Sequence, residues 1–334
     1  MKIDIFCHIF PESAFKRCFE AAPNLKDMGK RVRNVPMLFD LDLRFRVMDR
    51  FGDYRQVISM ASPPLEAFAG PEVTPGLARV ANDAMAELVS RHPDRFPGFL
   101  ACLPMNNPAE AQVELHRSVR DLGACGVQIF SNVNGLPLDR DEFRFVFEVM
   151  SGYDLPIWLH PARGSNFPDY LTEDRSLYEI WWTLGWPYET SVAMARLVFA
   201  GVFDQWPGIK LITHHMGAMA PYCEGRIGHG WDQLGTRTSD ADYSSVRASM
   251  KMRPLDYFKK FYADTALFGA PDAMQCGLAF FGAEHVLFSS DMPFDPEKGP
   301  SFIRASIRDV ESLEMSAADR EKIYAGNARR LLRL

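Results

Sequence analysis

An α/β fold of the (β/α)8 TIM-barrel type is what this sequence predicts, on three observations. Eight apolar strand-like runs recur along the chain, apolar-periodic segments lie between them, and histidine or aspartate ends several of the runs. The first run, Lys2-Ile3-Asp4-Ile5-Phe6-Cys7-His8-Ile9, is β-branched and apolar and stops at Pro11. The next seven are residues 55–60, 98–103, 126–130, 156–160, 209–214, 261–265 and 285–290. Between them, segments such as 77–92, 108–122, 141–151 and 190–203 repeat apolar residues at helical spacing. Each is long enough to be the crossover that a parallel strand pair requires. A doubly wound open sheet would compete, but no Gly-rich phosphate loop follows the first run.

The chain has 334 residues, 47% of them apolar and 24% charged, which is enough to bury one barrel-sized core. No linker, repeat or low-complexity stretch divides it, so residues 1–334 are expected to form a single domain with two insertions. Residues 11–47 and 161–189 exceed ordinary loop lengths and are expected to fold over the mouth as a cap and a lid. A net charge of -6 with only short basic runs argues against a nucleic-acid surface. No window reaches membrane-spanning length, and the first apolar run is too short for a signal peptide, so a cytoplasmic protein with no membrane partner is expected. The six cysteines are scattered without C-x-x-C spacing, as expected for reduced thiols.

Catalytic residues of such a barrel stand at the C-terminal ends of its strands. His8 ends the first run, His160 the fifth, His214-His215 the sixth and Asp291 the eighth. Imidazole and carboxylate suit a divalent ion such as zinc, and the four positions converge at one end of a barrel. Alternation along a strand puts Phe6 and His8 on one face and turns Cys7 away, unless a bulge intervenes. It also predicts that one ring of the His214-His215 pair points inward and the other toward the helices. His92, His116, His229 and His285 are expected to be structural or solvent-facing. Arg163 and Arg226 are the cations suited to grip a carboxylate substrate. No lysine ends the fourth run, where Gln128 to Phe130 stand, so one metal is the most that the mouth would hold.

These residues resemble the amidohydrolase superfamily. Within it they are most similar to the branch that includes 2-amino-3-carboxymuconate 6-semialdehyde decarboxylase and γ-resorcylate decarboxylase. The likeness is carried by Met1-Lys2-Ile3-Asp4-Ile5 with His8 and Pro11, by Gly126-Val127-Gln128-Ile129, and by Leu159-His160-Pro161. It continues through residues 201–211, His215-Met216-Gly217, Gly225-Arg226-Ile227-Gly228-His229, Ser290-Asp291-Met292-Pro293-Phe294 and Gly326-Asn327-Ala328. The resemblance implies that His8, His160 and Asp291 bind one divalent metal, zinc or else manganese. It implies that His215 hydrogen-bonds a metal-bound water and that Arg226 reaches a substrate carboxylate across a homodimer interface. The implied reaction is the non-oxidative decarboxylation of an aromatic or muconate-type acid, with His215 and Asp291 as the catalytic pair.

Phe6 departs from the family, which places histidine or glutamate at that position. Three readings follow. A mononuclear site survives on His8, His160 and Asp291 with reduced affinity, and Phe6 fills space or stacks on the substrate. Alternatively, Cys7 swings in as a thiolate. In the third reading, the site is metal-free, and the protein is a carboxylate-binding or inactive homologue. Hydrolysis of a lactone, ester or carbon-carbon bond, or hydration, is the rival chemistry on the same barrel.

Overall fold

A computed structural model describes residues 1–334. Eight strands form one parallel sheet in chain order: β1 (Lys2–Ile9), β2 (Tyr54–Met60), β3 (Gly98–Cys102), β4 (Gly126–Phe130), β5 (Ile157–His160), β6 (Leu211–Thr213), β7 (Tyr262–Asp264) and β8 (Val286–Leu287). The sheet curls until β1 meets the chain just past β8, where Ile5 N donates to Phe288 O (3.1 Å) and His8 N to Met292 O (2.9 Å). Helices that include Thr74–Arg91, Pro108–Arg120, Arg144–Tyr153, Gly185–Phe199, Pro271–Phe281 and Pro300–Ser312 surround it, giving a (β/α)8 barrel. No helix is long and apolar enough to cross a membrane, and all six cysteines are free thiols.

Strand alternation sorts the core into two layers. Val57, Leu100, Trp158, Ile212 and Leu287 meet Ile3, Ile5 and Phe6 in a buried cluster inside the barrel, joined by Leu331 and Leu332 of the last helix. Val127, Ile129, Ile157, Leu159, Leu211, Ala263 and Val286 belong instead to the larger core shared with the helices. The eighth strand is shorter than the run 285–290 predicts. Beyond Leu287 the ladder is replaced by a side chain: Ser289 N donates to Thr265 Oγ1 (2.8 Å), and that hydroxyl donates to Ser289 O (2.9 Å).

β1 also breaks simple alternation. Its register with β2 passes from Asp4 opposite Gln56 to Cys7 opposite Ile58, one extra residue in β1. The bulge lets both Ile5 and Phe6 join the interior cluster. It lies before Cys7, so that thiol still faces outward, with Sγ 3.8 Å from Tyr54 Oη. The sequence-based alternative of a Cys7 thiolate in the mouth is therefore corrected: a bulge exists, but on the wrong side of the cysteine.

The irregular backbone is satisfied by Asp4, whose carboxylate accepts from Phe6 N (3.3 Å), Ser290 N (3.1 Å), Tyr54 Oη (2.6 Å) and the Ser290 hydroxyl. Asp4 thus ties β1 to the segment that carries Asp291. Burial pushes its carboxyl up to about 6, against the hydrogen bonds from Ser290 and Tyr54, which act to lower it. Folded Asp4 therefore holds its proton more tightly than the unfolded chain does. Its contribution to stability is complete below about pH 4 and is lost as the pH rises through about 6, a change of about 3 kcal/mol. Asp4→Asn is expected to remove this slope, so the gap in melting temperature between wild type and variant should shrink from pH 4 to pH 7. A constant gap would contradict the assignment.

Residues 11–47 contain the helix Glu12–Ala21, two short turns of helix and the start of the helix Leu41–Met48, whose N-cap Asp40 accepts from Leu43 N at 2.8 Å. Phe10, just past β1, anchors this segment through ring contacts to Phe15, Phe19 and Phe39. Arg44 reaches from it into the core and is fully buried. It donates to Gln56 Oε1 (2.7 Å), to Met37 O and to His8 O. Residues 161–179 hold no helix or strand, and Trp186, beyond them, donates from Nε1 to Arg163 O at 3.1 Å.

Candidate active site

The strand ends bring His8, His160, His214 and Asp291 together in the barrel mouth, all buried. His8 Nε2 lies 2.9 Å from Asp291 Oδ1, and His214 Nε2 lies 3.4 Å from the same oxygen. His8, His160 and His214 each offer a nitrogen within 4.8 Å of the others. Phe6 lies among them, with its ring centroid 5.0 Å from His8, 5.7 Å from His160 and 4.2 Å from His214.

All four imidazoles are anchored through Nδ1. The partner is Ser59 Oγ for His8 (3.3 Å), Pro161 O for His160 (2.7 Å), an Asp264 carboxylate oxygen for His214 and Ala266 O for His215 (2.8 Å). Carbonyl and carboxylate oxygens only accept, so Nδ1 of His160, His214 and His215 must carry the proton. In the neutral rings of His160 and His215 Nε2 then keeps its lone pair, the form in which imidazole binds a metal, and His214 reaches that form by giving up its Nε2 proton.

Charge at the mouth is balanced tightly. Burial works against a charged His214, but the carboxylates of Asp264 and Asp291 outweigh it and raise that ring to about 10. Burial would raise Asp291, yet His214 and His8 hold it well below the ordinary carboxylate range. Burial, reinforced by His214, lowers His160 strongly and lowers His215 to about 4. Imidazole nitrogens beside an ionised carboxylate, in a site that favours positive charge, form a donor set that fits a divalent cation. The buried Nε2 of His214, which makes no hydrogen bond, agrees with that fit.

Alternation fails at the histidine pair. Both rings are buried at the mouth, stacked with centroids 3.7 Å apart, because the chain turns left-handed at His215 (φ 53°) and Met216 (φ 54°). The expectation that one of them would face the helices is corrected accordingly. Asp291 is also left-handed (φ 60°), a conformation costing about 1 kcal/mol in a side-chain-bearing residue and concentrated at functional sites.

Met216 anchors this turn beneath Gly277, where an added Cβ would stand 2.0 Å from Met216 Cγ. A helical glycine-to-alanine change is ordinarily stabilising by up to about 1 kcal/mol. Here overpacking reverses the sign, at a cost of about 1 to 3 kcal/mol. Gly277→Ala should lower the melting temperature, and an unchanged or higher value would contradict this packing.

Arg163 lies three residues past His160, over the Phe167 ring, and 3.9 Å from Glu189. Arg226 is exposed on the helix Glu224–Asp232. Sequence reasoning missed Asp264, although it ends β7 as Asp291 follows β8, and it left His214 without a role. The alternation from Ile212 already turned His214 inward.

The amidohydrolase family profile matches residues 3–334. The chain belongs to the amidohydrolase family. Among amidohydrolases, it is 34% identical over 305 residues to a γ-resorcylate decarboxylase of Polaromonas sp., covering 88% of this chain and 87% of that one. It is 30% identical to a 2-amino-3-carboxymuconate-6-semialdehyde decarboxylase of Dictyostelium discoideum, covering 100% of this chain and 92% of the relative. The crystal structure of a dihydroxybenzoic acid decarboxylase from Polaromonas, with bound manganese and the inhibitor 2-nitroresorcinol, superposes with a TM-score of 0.79 at 30% identity. That match covers 100% of this amidohydrolase and 97% of the Polaromonas chain.

Proposed function

We propose that the protein is a metal-dependent carboxy-lyase that removes CO₂ from an aromatic or muconate-type carboxylic acid without oxidation. The observation that carries this reading is the cluster of His8, His160 and His214 nitrogens within 4.8 Å of one another at the barrel mouth, with Asp291 Oδ1 2.9 Å from His8 Nε2. The decarboxylase relatives support it.

His8, His160 and Asp291 would hold the ion. Imidazole with carboxylate accommodates zinc or manganese, and manganese is what the solved Polaromonas relative binds. When bound, a divalent ion supplies Lewis acidity and orients the substrate's carboxylate or a neighbouring hydroxyl. The chain supplies the rest. Phe130, Trp186 and Phe294 stand 5.0 to 5.5 Å from the ligand rings and form a wall suited to a flat substrate. Residues 161–189 act as a lid and residues 11–47 as a cap, keeping water from the ring carbon. Arg163 receives an anionic group of the substrate.

His215 takes up a proton at Nε2 and delivers it to the ring carbon, and the ionised Asp291 stabilises the imidazolium while it does so. The carbon-carbon bond to the carboxylate breaks, its electron pair stays on the ring carbon, the proton adds there, and CO₂ leaves. Arg226 contributes across a homodimer. Sedimentation at micromolar concentration should find a dimer, and a monomer would remove that role.

The test is a panel of hydroxybenzoates, a muconate-type acid, lactones and esters, incubated with the metal-loaded protein. CO₂ release from an acid of the panel is expected. Acid production from a lactone or ester, with no CO₂ from any acid, would replace the decarboxylase reading with a hydrolase.

A further inference from the structure

We propose that His214, at the end of β6, is itself a ligand of the metal site and supplies the donor atom that Phe6 withholds from β1. The inference rests on the metal-dependent reading above and concerns which residues of this chain make the site.

β1 presents two side chains to the mouth, Phe6 and His8, and only His8 carries a donor. Phe6 is 1% exposed and stacks on His214, with centroids 4.2 Å and planes 24° apart. The residue that cannot bind a cation therefore packs face to face against one that can. His214 shares with His8 and His160 the property that their nitrogens lie within 4.8 Å of one another. Its Nε2 is buried and lies 3.4 Å from Asp291 Oδ1 without making a hydrogen bond. A buried polar atom in that state calls for an explanation, and a bound cation supplies one.

Asp264 prepares the ring for that role. One carboxylate oxygen binds His214 Nδ1, while the other accepts from His215 N (3.0 Å) and Ala266 N (2.9 Å), so the carboxylate cannot turn away. A carboxylate held behind a histidine fixes the tautomer and raises the basicity of the far nitrogen, the arrangement that metal-binding histidines use. Phe6 is then a positioning residue that sets the plane of the imidazole by stacking. The result is three imidazoles from β1, β5 and β6 and one carboxylate after β8, a full set of protein donors in spite of Phe6.

X-ray absorption of the zinc-loaded wild type counts its imidazole ligands directly and needs no variant. Three are expected, and two would overturn the assignment. Titration calorimetry with zinc adds a second readout. His214→Gln should weaken binding by on the order of 100-fold and Asp264→Asn by on the order of 10-fold. Phe6→Ala should weaken it less than His214→Gln, since it only frees the ring. Binding by His214→Gln equal to that of wild type would also overturn the assignment. A wild type that takes up neither zinc nor manganese would instead remove the metal-dependent reading itself, a result distinct from metal bound through two imidazoles.

Discussion

Asp291→Ala is expected to lower the rate of CO₂ release by on the order of 10³-fold, the scale of a disabled proton-transfer pair. Loss of a cation donor adds to that effect. In the folded chain Asp291 Oδ1 is the oxygen on which His8 Nε2 (2.9 Å) and His214 Nε2 (3.4 Å) converge, so one substitution removes the negative pole of the whole mouth. Asp291→Asn keeps the shape and an acceptor for His8 but does not supply the charge. It should therefore fall within about tenfold of the alanine variant. Steady-state CO₂ release measures both, with circular dichroism to show that the barrel remains folded. A loss smaller than about tenfold in either variant would mean that Asp291 does not take part in the chemistry.

The second large effect is on stability. Arg44→Met should cost about 4 kcal/mol, because it removes a buried cation and leaves its acceptors without a donor. Those acceptors are Gln56 Oε1, Met37 O and His8 O, all in the buried interior. Burial lowers the pKa of Arg44, and a buried charge is tolerated only where hydrogen bonds such as these satisfy it. A chain of this size loses roughly 2 to 3 °C per kcal/mol, so the melting temperature should fall by about 10 °C. Because Arg44 holds the carbonyl of His8, the variant should also bind metal more weakly at temperatures where it is folded. A melting temperature within about 2 °C of wild type, a threshold well under the effect of one lost charged hydrogen bond, would contradict this account.

The two effects differ in how far the sequence discloses them. The barrel is legible because each strand is a short apolar run whose neighbours in the sheet are also its neighbours in the chain. Strand ends are legible for the same reason, and the amino-acid pattern alone makes His8, His160, His214-His215 and Asp291 stand out. The seam between β1 and β8 is not legible. Asp4 bonds to Ser290 across 286 positions of sequence, and nothing local marks a strand aspartate as the group that satisfies a bulge.

Arg44 is hidden likewise, since an arginine on an amphipathic helix ordinarily points to water. The histidine pair shows a third kind of limit. Alternation put one ring of the pair inward without saying which, and a left-handed turn at His215 brings the second ring back over the first. Phe6, read from sequence as a lost ligand, is in the fold the surface on which His214 lies. Phe6 and His214, from β1 and β6, thus form one packed pair at the mouth.

Chelation tests the central claim most directly. CO₂ release from a responsive acid of the panel is followed before chelation, after dialysis against chelator, and after restoring manganese or zinc. The account predicts activity that disappears with the metal and returns when it is restored. Release that persists at its full rate in the metal-stripped protein would contradict it.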